Sequence, residues 1–142
     1  MDIDARGPRF GAVITTIVLA LSLATASVWL LLAQTLVFAV GAIAGMRYAP
    51  YGLVYRFLIR PRLGPPSRFE SPAPPRFAQG VGLVIAGIGV IGYAAGLTGV
   101  VIAFTALALA AALLNAAFDF CLGCQMYLFI RRIRPSQRSA AA

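Results

Sequence analysis

Lysine and histidine are absent from this chain, and acids are scarce: Asp2, Asp4, Glu70 and Asp119 are the only four in 142 residues. Without histidine, imidazole base catalysis and His-ligated metal sites are excluded within one chain. The glycine-rich segment 80–99 has no Lys-Ser/Thr after it, so no nucleotide-binding loop is present. No serine-nucleophile arrangement and no paired carboxylates appear, and no cofactor is implied. Cysteine is limited to two residues, which cannot complete a four-ligand zinc site. Metal binding would need four cysteines shared between two chains.

What is present is apolar. Hydrophobic residues make up 61 % of the chain and charged ones 11 %, with a mean hydropathy of +0.88. Soluble domains hold about 45–50 % apolar residues. A water-soluble fold of this length, one domain or two small repeats, has too little interior to hide that surface. Lipid is the natural solvent, and the bilayer the first partner.

The net charge of +8 comes from 12 basic residues, all of them arginine. A basic chain can bind nucleic acid. Here the arginines flank apolar runs, which is a membrane pattern and argues against nucleic acid.

The 36 uncharged residues from Gly11 to Met46 would form a helix of roughly 54 Å, too long for one crossing of a ~30 Å hydrocarbon core. Thr25-Ala26-Ser27 is the most polar place for a break, and Trp29 beside it suits a membrane–water interface. Spans at about 11–25 and 28–46 follow. The same stretch also reads as a signal peptide with Ala24-Thr25-Ala26 as its cleavage site.

An internal repeat argues against cleavage. Pro8-Arg9-Phe10 recurs as Pro75-Arg76-Phe77, each opening a long uncharged segment. Tyr55 to Pro61 closes the first unit, and Phe129 to Pro135 closes the second. Pro50 is expected to end the second span, and Tyr48 to Arg60 to form a short helix lying in the interface. The proline-rich stretch 61–75 reads as an extended cytoplasmic linker.

Gly82, Gly89 and Gly96 fall seven apart, a small-residue stripe suited to close helix packing in lipid. Tyr93 to Thr98 is expected to turn the chain, and Val100 to about Phe118 to form the fourth span. Gln34, Gln79 and Asn115 read as groups that hydrogen-bond between helices.

The expected fold is an all-α integral membrane protein. It has four transmembrane helices as two tandem helical hairpins, plus short interfacial helices after spans two and four. Residues 1–142 form a single membrane domain. Within it, 8–61 is the first hairpin repeat, 62–74 the proline-rich linker and 75–135 the second repeat. Arginines lie at both ends and in the middle segment, never in the two short turns. The positive-inside rule then puts both termini and the middle loop in the bacterial cytoplasm.

Chemistry concentrates in Cys121-Leu122-Gly123-Cys124, at the cytoplasmic end of span four. This spacing puts both sulfurs on one helical face or in a loose turn around Gly123, within reach of a disulfide. Arg131, Arg132 and Arg47 from the other unit would favour thiolate, whereas Asp119 opposes it as a like charge. Cycling of a dithiol, inert packing of two small residues and a metal site shared by two chains all stay open. Asp119 is either an interfacial acid paired to arginine or a proton-relay group. Electron passage across the bilayer would need a second redox pair, which the chain lacks, and so a quinone or a partner subunit.

Gly7-Pro8-Arg9-Phe10, Pro50-Tyr51-Gly52, Pro72 to Gln79 and above all Phe120-Cys121-Leu122-Gly123-Cys124-Gln125-Met126-Tyr127 resemble a family of small bacterial membrane proteins. The family is common in actinobacteria and catalogued as domain of unknown function 4395. The resemblance covers nearly the whole chain and implies a four-helix membrane protein without assigned activity. Relatives of this kind are often encoded beside thioredoxin-like and rhodanese-type sulfurtransferase proteins, which implies a thiol or sulfur-transfer partner. Cys121 and Cys124 are the residues it would carry over. Asp119 departs from the small residue expected there.

The resulting expectation is a cytoplasm-facing membrane dithiol in thiol–disulfide exchange or sulfur transfer, acting through Cys121 and Cys124, with Asp119 as a weaker candidate. The alternative is a non-enzymatic scaffold or transporter subunit with structural cysteines, and a homo-oligomer is compatible with either.

Overall fold

A computed structural model describes residues 3–4, 6–63 and 69–133. Arg68, the core of the proline-rich stretch, and the closing Arg134-Pro135 and Arg138 lie outside the described residues. The first apolar run folds as α1 (Arg6–Thr25) and α2 (Val28–Ala39), the latter continued by a π-helical turn, Val40–Ala44. The break falls where the polar residues sit. Ala26 takes a positive φ of 53°, and the Ser27 hydroxyl caps α2 by accepting the Leu30 N–H. That capping oxygen satisfies one of the donors a helix start leaves free.

The second apolar run gives α5 (Ala73–Ala94) and α6 (Thr98–Phe118), joined through Gly96 at φ 76°. Between the two runs lie α3 (Pro50–Val54), a π-helical turn Tyr55–Ile59 and α4 (Arg60–Leu63). α7 (Leu122–Arg132) follows α6. Apart from these helices, Ile3–Asp4 (β1) and Phe69–Glu70 (β2) form a two-residue antiparallel bridge.

Two boundaries differ from expectation. Pro50 starts α3 at its first turn rather than ending α2, because the missing proline N–H costs nothing at a position whose donor is unpaired anyway. The preceding helix has already stopped at Gly45, whose φ of 104° only glycine adopts without strain. The proline-rich stretch is shorter than expected at both ends. Residues 61–63 remain helical, and Pro74 and Pro75 belong to the first turn of α5, where their fixed φ suits a helix start.

Among the described residues, three helices are long and apolar enough to cross a membrane: α1, α5 and α6. The second expected span, at about 28–46, is observed as Val28–Ala44, apolar but shorter. α1 packs against α6, α2 and α3, while α5 packs against α6, α2 and α7. The core holds Leu19, Leu31, Phe38, Ala86 and Ala108. Gly82 and Gly89 let α2 approach α5, since an added Cβ would lie 2.8 Å from the Phe38 ring and 3.2 Å from Leu31. This is the packing role expected of the glycine stripe, although Gly96 serves the turn instead. Leu36, Ile43, Ile91 and Phe118 point outward, each more than half exposed. Such a belt of large apolar side chains belongs against acyl chains, not water.

Candidate functional site: a disulfide at the wall of an apolar cavity

Cys121 and Cys124 form a disulfide, with Cα atoms 5.2 Å apart. The local backbone explains how. α6 ends at Asp119 in the left-handed region (φ 54°), and Cys121 is extended (φ −88°, ψ 108°) as the cap of α7. The chain therefore enters α7 with Cys121 just outside the helix and Cys124 in its first turn. The Cys124 backbone N–H donates to Cys121 Sγ at 3.1 Å. A cysteine sulfur here takes the place of the usual serine or aspartate oxygen.

α7 is held on α5 by two contacts. An added Cβ on Gly123 would come 2.5 Å from the Ala78 Cα, so only glycine lets the two backbones sit this close. One helical turn further on, the Tyr127 ring lies 5.8 Å from Phe77, and the Arg131 guanidinium sits 6.0 Å above Tyr127. Cation–π and tilted aromatic pairs of this kind each contribute about 0.5–1.5 kcal/mol.

The disulfide forms part of the wall of a cavity of about 570 Å³. Its apolar lining includes Phe38, Ile85, Leu107, Ala108 and Ala112. Its polar groups include Arg9, Gln79, Asn115, Asp119 and Gln125. Volumes of about 300–1,000 Å³ with mostly apolar walls and a few polar groups are typical of small-molecule sites. Among the described residues, no three His, Cys, Asp or Glu side chains gather as metal ligands.

The expected site residues are thus brought together: Cys121, Cys124 and Asp119 all line one cavity, with Asn115. Two arginines expected beside the sulfurs are engaged elsewhere. Arg47 lies 5.8 Å from the Tyr48 ring and lines a different, 140 Å³ cavity, and Arg131 stacks on Tyr127. The arginine that lines the cysteine cavity is Arg9, whose Nε donates to the Ala116 carbonyl at 3.2 Å. Nothing local in the sequence pairs residue 9 with residue 116. The recurrence of Pro-Arg-Phe was the available signal, because Arg76 does the same for α2, donating to the Ala42 and Ile43 carbonyls at 2.8 and 2.9 Å. A guanidinium at a helix end satisfies free carbonyls and meets the negative end of the dipole.

Gln34 bears out its reading as a polar link between helices. Its amide donates to Thr15 Oγ1 at 3.2 Å, and its carbonyl accepts from the Tyr51 hydroxyl at 2.7 Å. Burial pushes the Tyr51 phenol above its ordinary pKa, so it stays a donor.

Among the described residues, three apolar helices of membrane-crossing length and a disulfide at a helix start define a small helical membrane protein with a bonded cysteine pair. The chain belongs to the family described as Domain of unknown function (DUF4395), which matches residues 3–132. No curated protein and no solved structure matches it.

Proposed function

We propose that the protein is a membrane-embedded thiol–disulfide carrier whose Cys121–Cys124 pair exchanges electrons or sulfur with a soluble thioredoxin-like or sulfurtransferase partner. The observation that carries this reading is the disulfide at the start of α7, with a backbone N–H directed at Cys121 Sγ. Once the bond is reduced, that N–H and the positive end of α7 stabilise a thiolate at Cys121. Cys121 is then the attacking sulfur. Its thiolate attacks a partner disulfide, forming a mixed disulfide and releasing the partner's second sulfur as thiolate. Cys124 next attacks Cys121, restoring the internal disulfide and releasing the partner fully reduced. Both electrons pass from the pair to the partner, and the reverse sequence returns them. Asp119 stands beside this site as a proton-handling group of secondary weight.

The frame for this chemistry is four spans arranged as two tandem helix pairs of the same orientation. Several correspondences support the duplication. Arg9 caps α6 and Arg76 caps α2, each reaching into the other pair. The Phe10–Tyr55 rings (5.6 Å) match Phe77–Tyr127 (5.8 Å). Gly45 and Asp119, both at positive φ, end the second helix of each pair. Val28–Ala44 serves as the second span and brings the number to four. Its 12 α-helical and 5 π-helical residues rise roughly 26 Å, short of the ~30 Å core by an amount that local thinning absorbs. By the positive-inside rule the arginine-bearing ends, and hence Cys121 and Cys124, face the cytoplasm.

The test is a redox titration in native membranes, acid-quenched and alkylated with a mass tag. The expected result is a reversible two-electron transition near the cytoplasmic poise. Cys124→Ser should accumulate a mixed disulfide through Cys121, and Cys121→Ser should accumulate none. Two sulfurs that do not change state across the titration would leave a scaffold with structural cysteines.

A further inference from the structure

The cavity beside the disulfide has a counterpart that is nearly filled, and the difference identifies what the larger one holds. Aligning the two helix pairs on Gly45 and Asp119 sets Gln34 against Ala108 and Phe38 against Ala112. Aligning α3 with α7 on Tyr55 and Tyr127 sets Tyr51 against Gly123, and Ala49 and Gly52 against the two cysteines. In the first pair, Tyr51 and Val37 line a cavity of about 140 Å³, and the Tyr51–Gln34–Thr15 hydrogen bonds run beside it. In the second pair these positions hold alanine or glycine, and Ala108, Ala112 and Gly123 line the 570 Å³ cavity, to which Phe38 and Thr15 of the first pair also contribute. The residues that narrow the smaller cavity are Tyr51 and Val37, and their matches Gly123 and Ala111 line the larger one, next to the only two cysteines in the chain.

We infer that this cavity is a binding site for a lipophilic quinone that exchanges two electrons with the Cys121–Cys124 pair. The inference rests on the dithiol reading above. Four features point to that ligand class. Most of the lining is apolar, as an isoprenoid or alkyl tail requires. The side-chain amides of Gln79, Asn115 and Gln125 border the cavity and supply N–H donors for ring carbonyls. The helices that enclose it face lipid, where such molecules dissolve. Finally, the chain has no second cysteine pair and no histidine, so a second redox partner for the dithiol must be bound rather than built in.

The reaction balances without a further reagent. The Cys121 thiolate adds to the quinone ring, forming a C–S bond. Cys124 attacks the Cys121 sulfur, the S–S bond forms, and the C–S bond breaks with its electron pair returning to the ring. The two thiols lose two electrons, and their two protons end on the ring oxygens as the hydroquinone.

The experiment uses the full chain in lipid nanodiscs, with a short-tailed benzoquinone and a short-tailed naphthoquinone as probes. The expected result is saturable binding at one site per chain, retained by the Cys121→Ser/Cys124→Ser double variant and weakened at least tenfold by Ala112→Phe. Ala111→Leu, a smaller intrusion, should weaken it by less, and helical circular dichroism should show both variants folded. Under anaerobic conditions the pre-reduced protein should yield one hydroquinone per disulfide formed. Absent binding, binding indifferent to both cavity-filling changes, or displacement of the probe by ordinary phospholipid at equal concentration overturns the inference. So does bound quinone that is never reduced while the same dithiol reacts with glutathione disulfide. Failure of the carrier reading looks different: the pair reacts with neither quinone nor thiol reagents, yet binding to the double variant persists.

Discussion

The ends of the two helix pairs start from similar parts and finish with opposite packing. On the first, α3 rests against α1 through Tyr51 near Gly11, where an added Cβ would make an ordinary 3.6 Å contact. The Tyr51 ring continues into the buried Gln34–Thr15 link. On the second, α7 rests against α5 through Gly123, with no room for even a methyl group, and the space beyond is open. One end spends its contact on a side chain that fills the interior. The other brings backbone against backbone, which fixes a capping cysteine at the wall of a cavity. Under the proposed duplication, glycine at the position matching Tyr51 lets the helix sit closer and leaves the two cysteines beside open space.

Gly123→Ala should break this comparison most strongly. The new methyl would lie 2.5 Å from the Ala78 Cα, and backbone cannot yield as a flexible side chain can. α7 must lift from α5, separating Tyr127 from Phe77 and carrying both cysteines with it. Overpacking of this kind costs about 1–3 kcal/mol. Thermal unfolding in detergent should shift down accordingly, and disulfide reformation after reduction should slow at least tenfold. Gly52→Ala in α3, one residue beyond the position that matches Gly123, meets atoms no nearer than 3.6 Å and should leave the midpoint almost unchanged. Equal effects at both positions would mean the two ends are packed alike.

A smaller effect is expected from Tyr51→Phe, which keeps the ring and removes only the 2.7 Å hydrogen bond to Gln34. Hydrogen bonds between helices within membranes average about 0.6 kcal/mol, because the separated helices find other partners. The expected loss is therefore about that size, read as a small fall in the unfolding midpoint. Thiol exchange at Cys121 should not change, since the two cavities have different linings apart from Pro8 and Gln79. A Tyr51→Phe protein with altered disulfide reactivity would show that the two ends communicate.

Much of the frame was legible in the sequence because it depends on local chemistry. Uncharged runs, the polar break at Thr25 to Ser27 and the turn at Tyr93 to Thr98 placed the long helices to within a few residues. Cys-x-x-Cys spacing put a disulfide within reach, with inert packing and a shared metal site left open beside it. What escaped was set by partners distant in the chain. Arg9 reaches Ala116, Arg76 reaches Ala42, and the cavity exists because alanines on α6 face α1 and α5 across a gap that no single segment encodes. Pro50 was misplaced for a different reason. A proline that stops one helix and one that starts the next look alike until Gly45 is seen to have ended the first.

Asp119 tests the comparison at its finest point, where Gly45 is the residue of matching conformation. Both end a long helix at positive φ, 104° for glycine and 54° for aspartate. Glycine adopts this region freely, and aspartate is among the few side chains that visit it as single residues. An acid here is therefore explained by backbone shape before any proton chemistry is invoked. If shape is all that matters, Asp119→Asn should behave as the parent, and Asp119→Gly should be more stable by up to about 0.5 kcal/mol. That gain is the relief of left-handed strain less the greater entropy glycine loses on folding. If the carboxylate instead takes the proton released when Cys124 closes on Cys121, Asp119→Asn and Asp119→Gly should slow that closure equally, at unchanged stability. The deciding measurement is the rate of disulfide closure against pH for the parent and Asp119→Asn. Superimposed profiles make Asp119 a turn residue, whereas a slower profile for Asp119→Asn, matched by Asp119→Gly, makes it part of the site.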